Sequence, residues 1–278
     1  MSTIEIHQID STSLKRKRKI RVFLPSAVAA EPTRRFKLLI QQDAQMAFTE
    51  RDRDLPYGSW GIDEWVERLA AEGVIDPPIV VAVDNSPARM REYFPLSDEF
   101  KLYERFVLEE LLPWIRGNYR VQEGPANTAL MGSSMGGLVS FALALNHQDL
   151  FGAAACLSPW FEVENNRYVH DVLKNVQEKP ALRVYLDSGI RDWRDLDDGH
   201  RGMLMARKEL LRLGLHEGDD LQVYVDTWFP TMRDLESSLV KEDKRAIALS
   251  NQHNEFQWRR RLRAPLEFLF AHTDVRLS

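Results

Sequence analysis

The stretch Met131-Gly132-Ser133-Ser134-Met135-Gly136-Gly137 constrains this chain more than any other. Ahead of it, Ala126 to Leu130 reads as a short buried strand; behind it, the apolar run Leu138 to Leu145 reads as a buried helix. A strand, a Gly-x-Ser-x-Gly turn and a helix are the context of a nucleophile elbow, where the central serine sits on a sharp turn with its hydroxyl above the sheet. A Cβ on Gly132 or Gly136 would collide with the returning helix, and Gly137 lets helix and strand approach closely. The amide of Met135, at the start of the helix, points toward the place where an oxyanion would form. Ser134 is therefore the candidate nucleophile, weighed against an ordinary strand-to-helix turn.

The rest of the chain supplies a sheet for such an elbow. Apolar or alternating runs predict strands at Ile4–His7, Ile20–Pro25, Phe36–Gln42, Pro78–Asp84, Ala153–Leu157, Leu182–Leu186 and Leu221–Asp226. Helical spacing falls at Ile62–Ala71, Phe100–Ile115 (with a kink expected at Pro113), Arg167–Val176, Met203–Leu213 and Phe256–Phe270, the last bent or broken before Pro265. Strands alternating with helices predict an α/β class with a mostly parallel sheet covered on both faces, and catalytic groups beyond the carboxyl ends of the strands. The 278 residues suit a single domain, 1–278, with no internal repeat or composition break.

Charge and cysteine usage narrow the function classes. The net charge of −5 argues against a nucleic-acid surface, and Lys15 to Lys19 reads as a solvated strand edge. The one cysteine, Cys156, lies in an apolar run and reads as a buried small hydrophobe. Neither a signal-like N-terminus nor a bilayer-length apolar segment is found, so a cytoplasmic protein with no membrane partner is expected.

A serine hydroxyl needs a base to take its proton, and the base needs a carboxylate to hold its tautomer. On this architecture the chain order is serine, acid, histidine. Tyr185 to Asp192 offers Asp187 at the strand end and Asp192 in the loop beyond Gly189, with Asp192 preferred. Asp195, Asp197 and Asp198 read as a solvated acidic turn and helix start. Of seven histidines only His253 and His272 follow the last predicted strand, and His253 sits in a loop just before the closing helix, with Asn254 placed to cap it. The second oxyanion amide is expected from Ala44 or Gln45, after the strand ending at Gln42; Asp43 either caps that turn or faces substrate.

At this point the chain resembles the esterase-D-like group of α/β-hydrolases, which includes S-formylglutathione hydrolases, feruloyl esterases and siderophore esterases. The resemblance rests on ordered stretches: Arg18 to Pro25, Asp43-Ala44-Gln45, Asp84-Asn85 with Arg89 to Tyr93, the elbow, Gly189 to Asp192, and His253 to Trp258. It implies the α/β-hydrolase fold, a triad of Ser134, Asp192 and His253, and an oxyanion hole of Gln45 and Met135. Ala44 stands where the group usually has glycine. Thr227 to Gln252 is longer than the usual linker, and its helical character fits either a lid or a surface insertion.

The resulting expectation is a serine carboxylic-ester hydrolase acting on a small-molecule ester, with no metal or organic cofactor. Trp160, Trp193 and Trp228 follow strand ends or the acid and are expected, with Asp43, to line the substrate site. An acyltransferase with the same triad and a non-catalytic protein on the same fold are the rivals. A homo-oligomer is compatible with the sequence.

Overall fold

The computed structural model describes residues 1–192 and 194–272. Its eight described strands form one sheet: β1 (Thr3–Ser11), β2 (Arg16–Leu24), β3 (Leu38–Gln42), β4 (Ile79–Val83), β5 (Thr128–Ser133), β6 (Ala153–Leu157), β7 (Arg183–Ser188) and β8 (Leu221–Val225). The spatial order is β1-β2-β4-β3-β5-β6-β7-β8. β2 pairs antiparallel with both β1 and β4, and every other pairing is parallel. This is the α/β-hydrolase fold expected from the sequence.

The strands are apolar on both sides because each side has its own core. In β4, Ile79, Val81 and Val83 enter one cluster while Val80 and Ala82 enter the other. In β5, Leu130 faces the first and Ala129 and Met131 the second. This alternation follows from the two-residue period of a strand between two layers of helices. The helix Met135–Asn146 is buried from Met135 through Leu145, as an all-round apolar helix must be.

The parallel registers align the strand ends that matter. Ser133, Leu157 and Asp187 are neighbours across β5, β6 and β7, and Ser188 opposes Val225. The chain therefore leaves β5 at Ser134, β6 at Ser158, β7 at Gly189 and β8 at Asp226 along one edge of the sheet.

Helix ends follow local chemistry. The predicted Phe100–Ile115 helix is an α-helix over Asp98–Arg105, a π-helical stretch over Phe106–Leu111 and a further α-helix over Leu112–Asn118. Pro113 has no amide hydrogen for the i→i−4 ladder, and the widened π turn absorbs the defect. The closing segment divides at Leu262 into Glu255–Arg261 and Arg263–Phe270, just ahead of Pro265. The helix expected at Arg167–Val176 starts earlier, spans Val163–Asp171, and carries left-handed backbone at Glu164 to Asn166.

Two regions differ from their sequence reading. The Lys15 to Lys19 edge is not wholly solvated: Arg18 is buried and donates to both oxygens of Glu92 at 2.8 Å. Residues 227–252 form two short helices, Met232–Glu236 and Glu242–Ala248. Leu235, Val240 and Ala248 make a small cluster with Tyr57 and Phe256, and the Lys241 amide donates to Pro56 O at 2.9 Å. Among the described residues, no helix is long and apolar enough to cross a membrane.

The elbow sets a sharp steric test. A Cβ on Gly132 would lie 2.4 Å from the carbonyl oxygen of Gly136, backbone that cannot give way without moving the helix. Gly132→Ala should therefore lower stability by at least about 1–3 kcal/mol. Gly117→Ala, in a helix with open space around the new Cβ, should be neutral or raise stability by up to about 1 kcal/mol. Denaturant unfolding of both variants checks the contrast.

Candidate active site

Ser134 is held in a conformation that few non-glycine residues adopt, with φ 54° and ψ −126°. Its amide donates to Leu157 O at 3.0 Å, and its carbonyl accepts from the amides of Trp160, Gly137 and Leu138 at 3.0–3.1 Å. These bonds tie the turn to the end of β6 and to its own helix. The side chain is partly exposed between buried neighbours. It shares a pocket of about 80 Å³ with Ser158, Trp160, Asp192, Arg194, Gly199 and His253.

His253 reaches that pocket from the loop before the closing helices. Its amide donates to Asn251 Oδ1 at 2.8 Å, and its ring meets the Trp258 indole edge-on at 5.0 Å. Asn254 caps the next helix by accepting from the Gln257 amide at 3.1 Å, the capping role its position suggested. Gln252 locks the loop from behind. Its carboxamide oxygen accepts from Ile190 and Arg191 amides, and its nitrogen donates to Asp226 O and Trp228 O. Ser134 and His253, 119 positions apart in the chain, thus line one cavity.

The carboxylate against His253 is not the expected one. Asp198 Oδ1 lies 2.6 Å from His253 Nδ1, while Asp198 Oδ2 accepts from Ser158 Oγ at 2.7 Å and from the Gly189 amide at 2.5 Å. The reading of Asp198 as part of a solvated acidic turn is therefore corrected, since its side chain is fully buried. Asp192, the acid preferred from the sequence, instead builds the turn that delivers Asp198. Asp192 Oδ1 accepts from the Arg194 and Leu196 amides, Oδ2 pairs with the Arg194 guanidinium, and the Asp192 amide donates to Leu196 O. Asp187, the alternative acid, faces Arg261 at 3.2 Å behind Ser158. His200, which precedes the last strand, meets the Ser188 hydroxyl at 3.1 Å.

Electrostatics separate these carboxyls. Burial opposes ionisation of Asp198, but the hydrogen bond and charge of His253, with Arg261 and the Ser158 hydroxyl, outweigh it and hold the group below the usual aspartate value. For Asp187 burial wins over the Arg261 charge and pushes the carboxyl up to about 6. Burial also raises the Cys156 thiol, which is unfit to be a nucleophile at neutral pH.

The remaining expected residues fall in three places. Gln45 and Met135 lie on either side of a tight contact between the Asp43 loop and the elbow helix: a Cβ on Gly136 would be 2.8 Å from Asp43 Oδ2. Asp43 is not among the residues that line the pocket. Its buried carboxylate takes both Arg89 Nε and Asn85 Nδ2 on Oδ1, each at 2.6 Å, and Arg89 Nη2 on Oδ2 at 2.7 Å. Trp160 lines the pocket, with the Arg194 guanidinium 5.4 Å from its ring centre. Trp228 is not among the pocket's lining residues; it stacks under Arg260 at 4.2 Å and beside Phe256, outside the pocket. Trp193 lies outside the described residues.

The sequence reading missed Asp198, Ser158 and Arg261. The one local hint to Asp198 is the Asp198-Gly199 pair, a turn signal at a helix start, where Gly199 has φ 76° and Asp198 itself φ 56°.

A family model described as Putative esterase matches residues 11–229. The chain belongs to that family. Among known proteins, YjcH of Bacillus subtilis (strain 168), described as uncharacterized, is 25% identical over 192 residues, 68% of this chain and 74% of YjcH. A ferulic acid esterase superposes with TM-score 0.73 at 19% identity, covering 97% of this chain and 98% of its own. The enterobactin esterase of Shigella flexneri, solved with enterobactin, gives 0.70 at 16% identity; the match covers 96% of this chain and 58% of that one. An IroE-like serine hydrolase from Shewanella oneidensis gives 0.64 at 16% identity, over 89% of this chain and 78% of its own. Family membership supports ester hydrolysis, and the superpositions show a shared fold.

The depressed Asp198 carboxyl has a consequence for acid stability. Its ordinary value is 3.8 and its folded value lies lower, so its contribution is present above about pH 4 and lost as the pH falls through the folded value. Thermal unfolding of the native chain and Asp198→Asn should therefore differ most near neutral pH. The gap should narrow as the pH drops below 3.8. A gap that does not begin to narrow once the pH falls below 3.8 would contradict the stabilising ion pair.

Proposed function

We propose that this chain is a serine carboxylic-ester hydrolase working through an acyl-enzyme, with Ser134 as nucleophile, His253 as base and Asp198 as the acid that orients it. The observation that carries the reading is the shared pocket: the Ser134 and His253 side chains both line it, and the buried Asp198 carboxylate holds His253 by Nδ1.

That bond leaves Nε2 as the ring nitrogen available to the serine. Ser134 Oγ attacks the acyl carbon while His253 Nε2 takes its proton. The ionised Asp198 stabilises the imidazolium, and the proton then passes to the departing alkoxide. Water, activated by the same nitrogen, attacks the acyl carbon and releases the acid and free Ser134. The Met135 amide, at the first turn of a helix whose leading amides have no intrahelical acceptor, and the Gln45 amide are assigned to the oxyanion. A pocket of about 80 Å³ walled by Trp160 supports a short acyl chain over a long one.

Turnover of p-nitrophenyl acetate, butyrate and decanoate tests this. Ser134→Ala should remove turnover and labelling by a fluorophosphonate while keeping the unfolding transition. Asp198→Asn should lower kcat by about 10³–10⁴-fold, because the amide would favour the wrong imidazole tautomer. Asp192→Asn should lose far less. Full activity in Ser134→Ala would remove the assignment, and a larger loss in Asp192→Asn than in Asp198→Asn would return the acid to Asp192. Acetate or butyrate should be the better substrate.

A further inference from the structure

The segment from Asp84 to Tyr93 takes no part in the pocket, yet it is bonded to the oxyanion loop at both ends of that loop. The Asn85 side chain donates to Asp43 Oδ1 at 2.6 Å, and the Asn85 amide donates to Gln45 Oε1 at 3.1 Å. Arg89 forms a two-pronged pair with the same Asp43 carboxylate, at 2.6 and 2.7 Å. Asp43 holds left-handed backbone, φ 60° and ψ 52°, immediately before the short 3-10 turn Ala44–Met46 that contains Gln45. Its Oδ2 abuts the elbow helix at Gly136, one residue past Met135. The carboxylate is thus a spacer between the two assigned oxyanion donors, with Gln45 on its own loop and Met135 on the helix it presses against.

The segment is itself anchored. Arg18 reaches across from β2 to donate to Asp84 O at 3.0 Å and to both Glu92 oxygens, and Arg21 Nε donates to Asp84 Oδ1 at 3.0 Å. Ser86 Oγ also donates to Glu92 at 2.9 Å. Arg89 stacks over the buried Tyr93 ring, 5.2 Å from its centre. A planar guanidinium bonded through two nitrogens fixes the orientation of the carboxylate as well as its position, which a lysine ammonium cannot do.

We propose that Arg89 and Asn85 are positioning residues that set the spacing of the oxyanion hole through Asp43. They touch neither Ser134 nor His253; they hold the loop that offers the Gln45 amide at a fixed separation from the Met135 amide. The proposal rests on the serine-esterase reading above. A preorganised pair of donors matters most when negative charge develops on the carbonyl oxygen, so loosening the pair acts on the transition state and spares ground-state binding.

The test compares Arg89→Met, Arg89→Lys and Asn85→Ala with the native chain and with Ser134→Ala, on p-nitrophenyl butyrate and with a trifluoromethyl ketone that forms a tetrahedral oxyanion on the serine. Arg89→Met is expected to lower kcat by about 10²-fold with KM changed less than about 3-fold, since a displacement near 1 Å at the reacting centre has that effect. Affinity for the ketone should fall by a similar factor, and Arg89→Lys should recover part of both losses. Native kcat and ketone affinity in Arg89→Met, beside an inactive Ser134→Ala, overturn the positioning role and leave the esterase reading standing. A loss confined to KM also overturns it, because it would place Arg89 on the substrate. Turnover surviving in Ser134→Ala defeats the esterase reading, and this proposal with it. If Arg89→Met loses its cooperative unfolding transition, Arg89→Lys and Asn85→Ala decide the question: unchanged kcat in both overturns the proposal.

Discussion

The left-handed backbone at Ser134 is the constraint on which the active edge depends. A non-glycine residue in that conformation costs on the order of 1–3 kcal/mol and persists only where its surroundings over-determine it. Here the Ser134 amide and carbonyl are both bonded, to Leu157 on one strand and to Trp160, Gly137 and Leu138 beyond it. The same bonds fix where β6 ends relative to β5. Ser158, the first residue after β6, is thereby carried to the position where its hydroxyl meets Asp198. The strained serine and the buried Asp198 carboxylate are parts of one backbone arrangement.

Two buried aspartates beside one guanidinium show how environment assigns roles. Arg261 lies 3.2 Å from Asp187, and its charge also acts on Asp198. Asp187 has too few donors to offset its burial and is raised to about 6, whereas Asp198 gains an imidazole, a hydroxyl and a backbone amide and is lowered. Pairs of carboxyls pushed apart in this way commonly mark a division of labour. Asp198 suits the task of remaining ionised beside an imidazolium. Asp187 suits a supporting place under the Ser158 amide, which donates to it at 3.2 Å.

The fold was legible in the sequence because strands buried between two helical layers are continuous apolar runs, and all eight predicted runs contain or overlap a strand of the sheet. The elbow was legible because three glycines around a serine have a steric meaning. His253 followed from chain order, and the structure places it on the same pocket as Ser134. Which carboxylate lies against His253 was not legible. Five aspartates lie between Asp187 and Asp198 inclusive, counting both ends, and which one turns inward depends on a loop that Asp192 closes with its own side chain. That closure is a contact, with no periodicity to announce it. Asp43 and Trp228 do not line the pocket for a related reason: proximity to a strand end says which edge a residue occupies, whereas Arg89 and Arg260 decide where its side chain goes.

Gln252 gives the long excursion after β8 an unexpected independence. One carboxamide joins the carbonyls of Asp226 and Trp228, where the excursion departs, to the residue where it returns, and its oxygen grips Ile190 and Arg191 at the same time. The two ends of the detour are stapled together beneath the histidine. The stretch from 229 to 250 can then change length or composition while this staple and the Asn251 bond to the His253 amide hold the loop. Such a junction is a natural site for exchange: a lineage, or an engineer, could swap this stretch for another cap and alter what approaches the cavity while Ser134 and His253 stay in register.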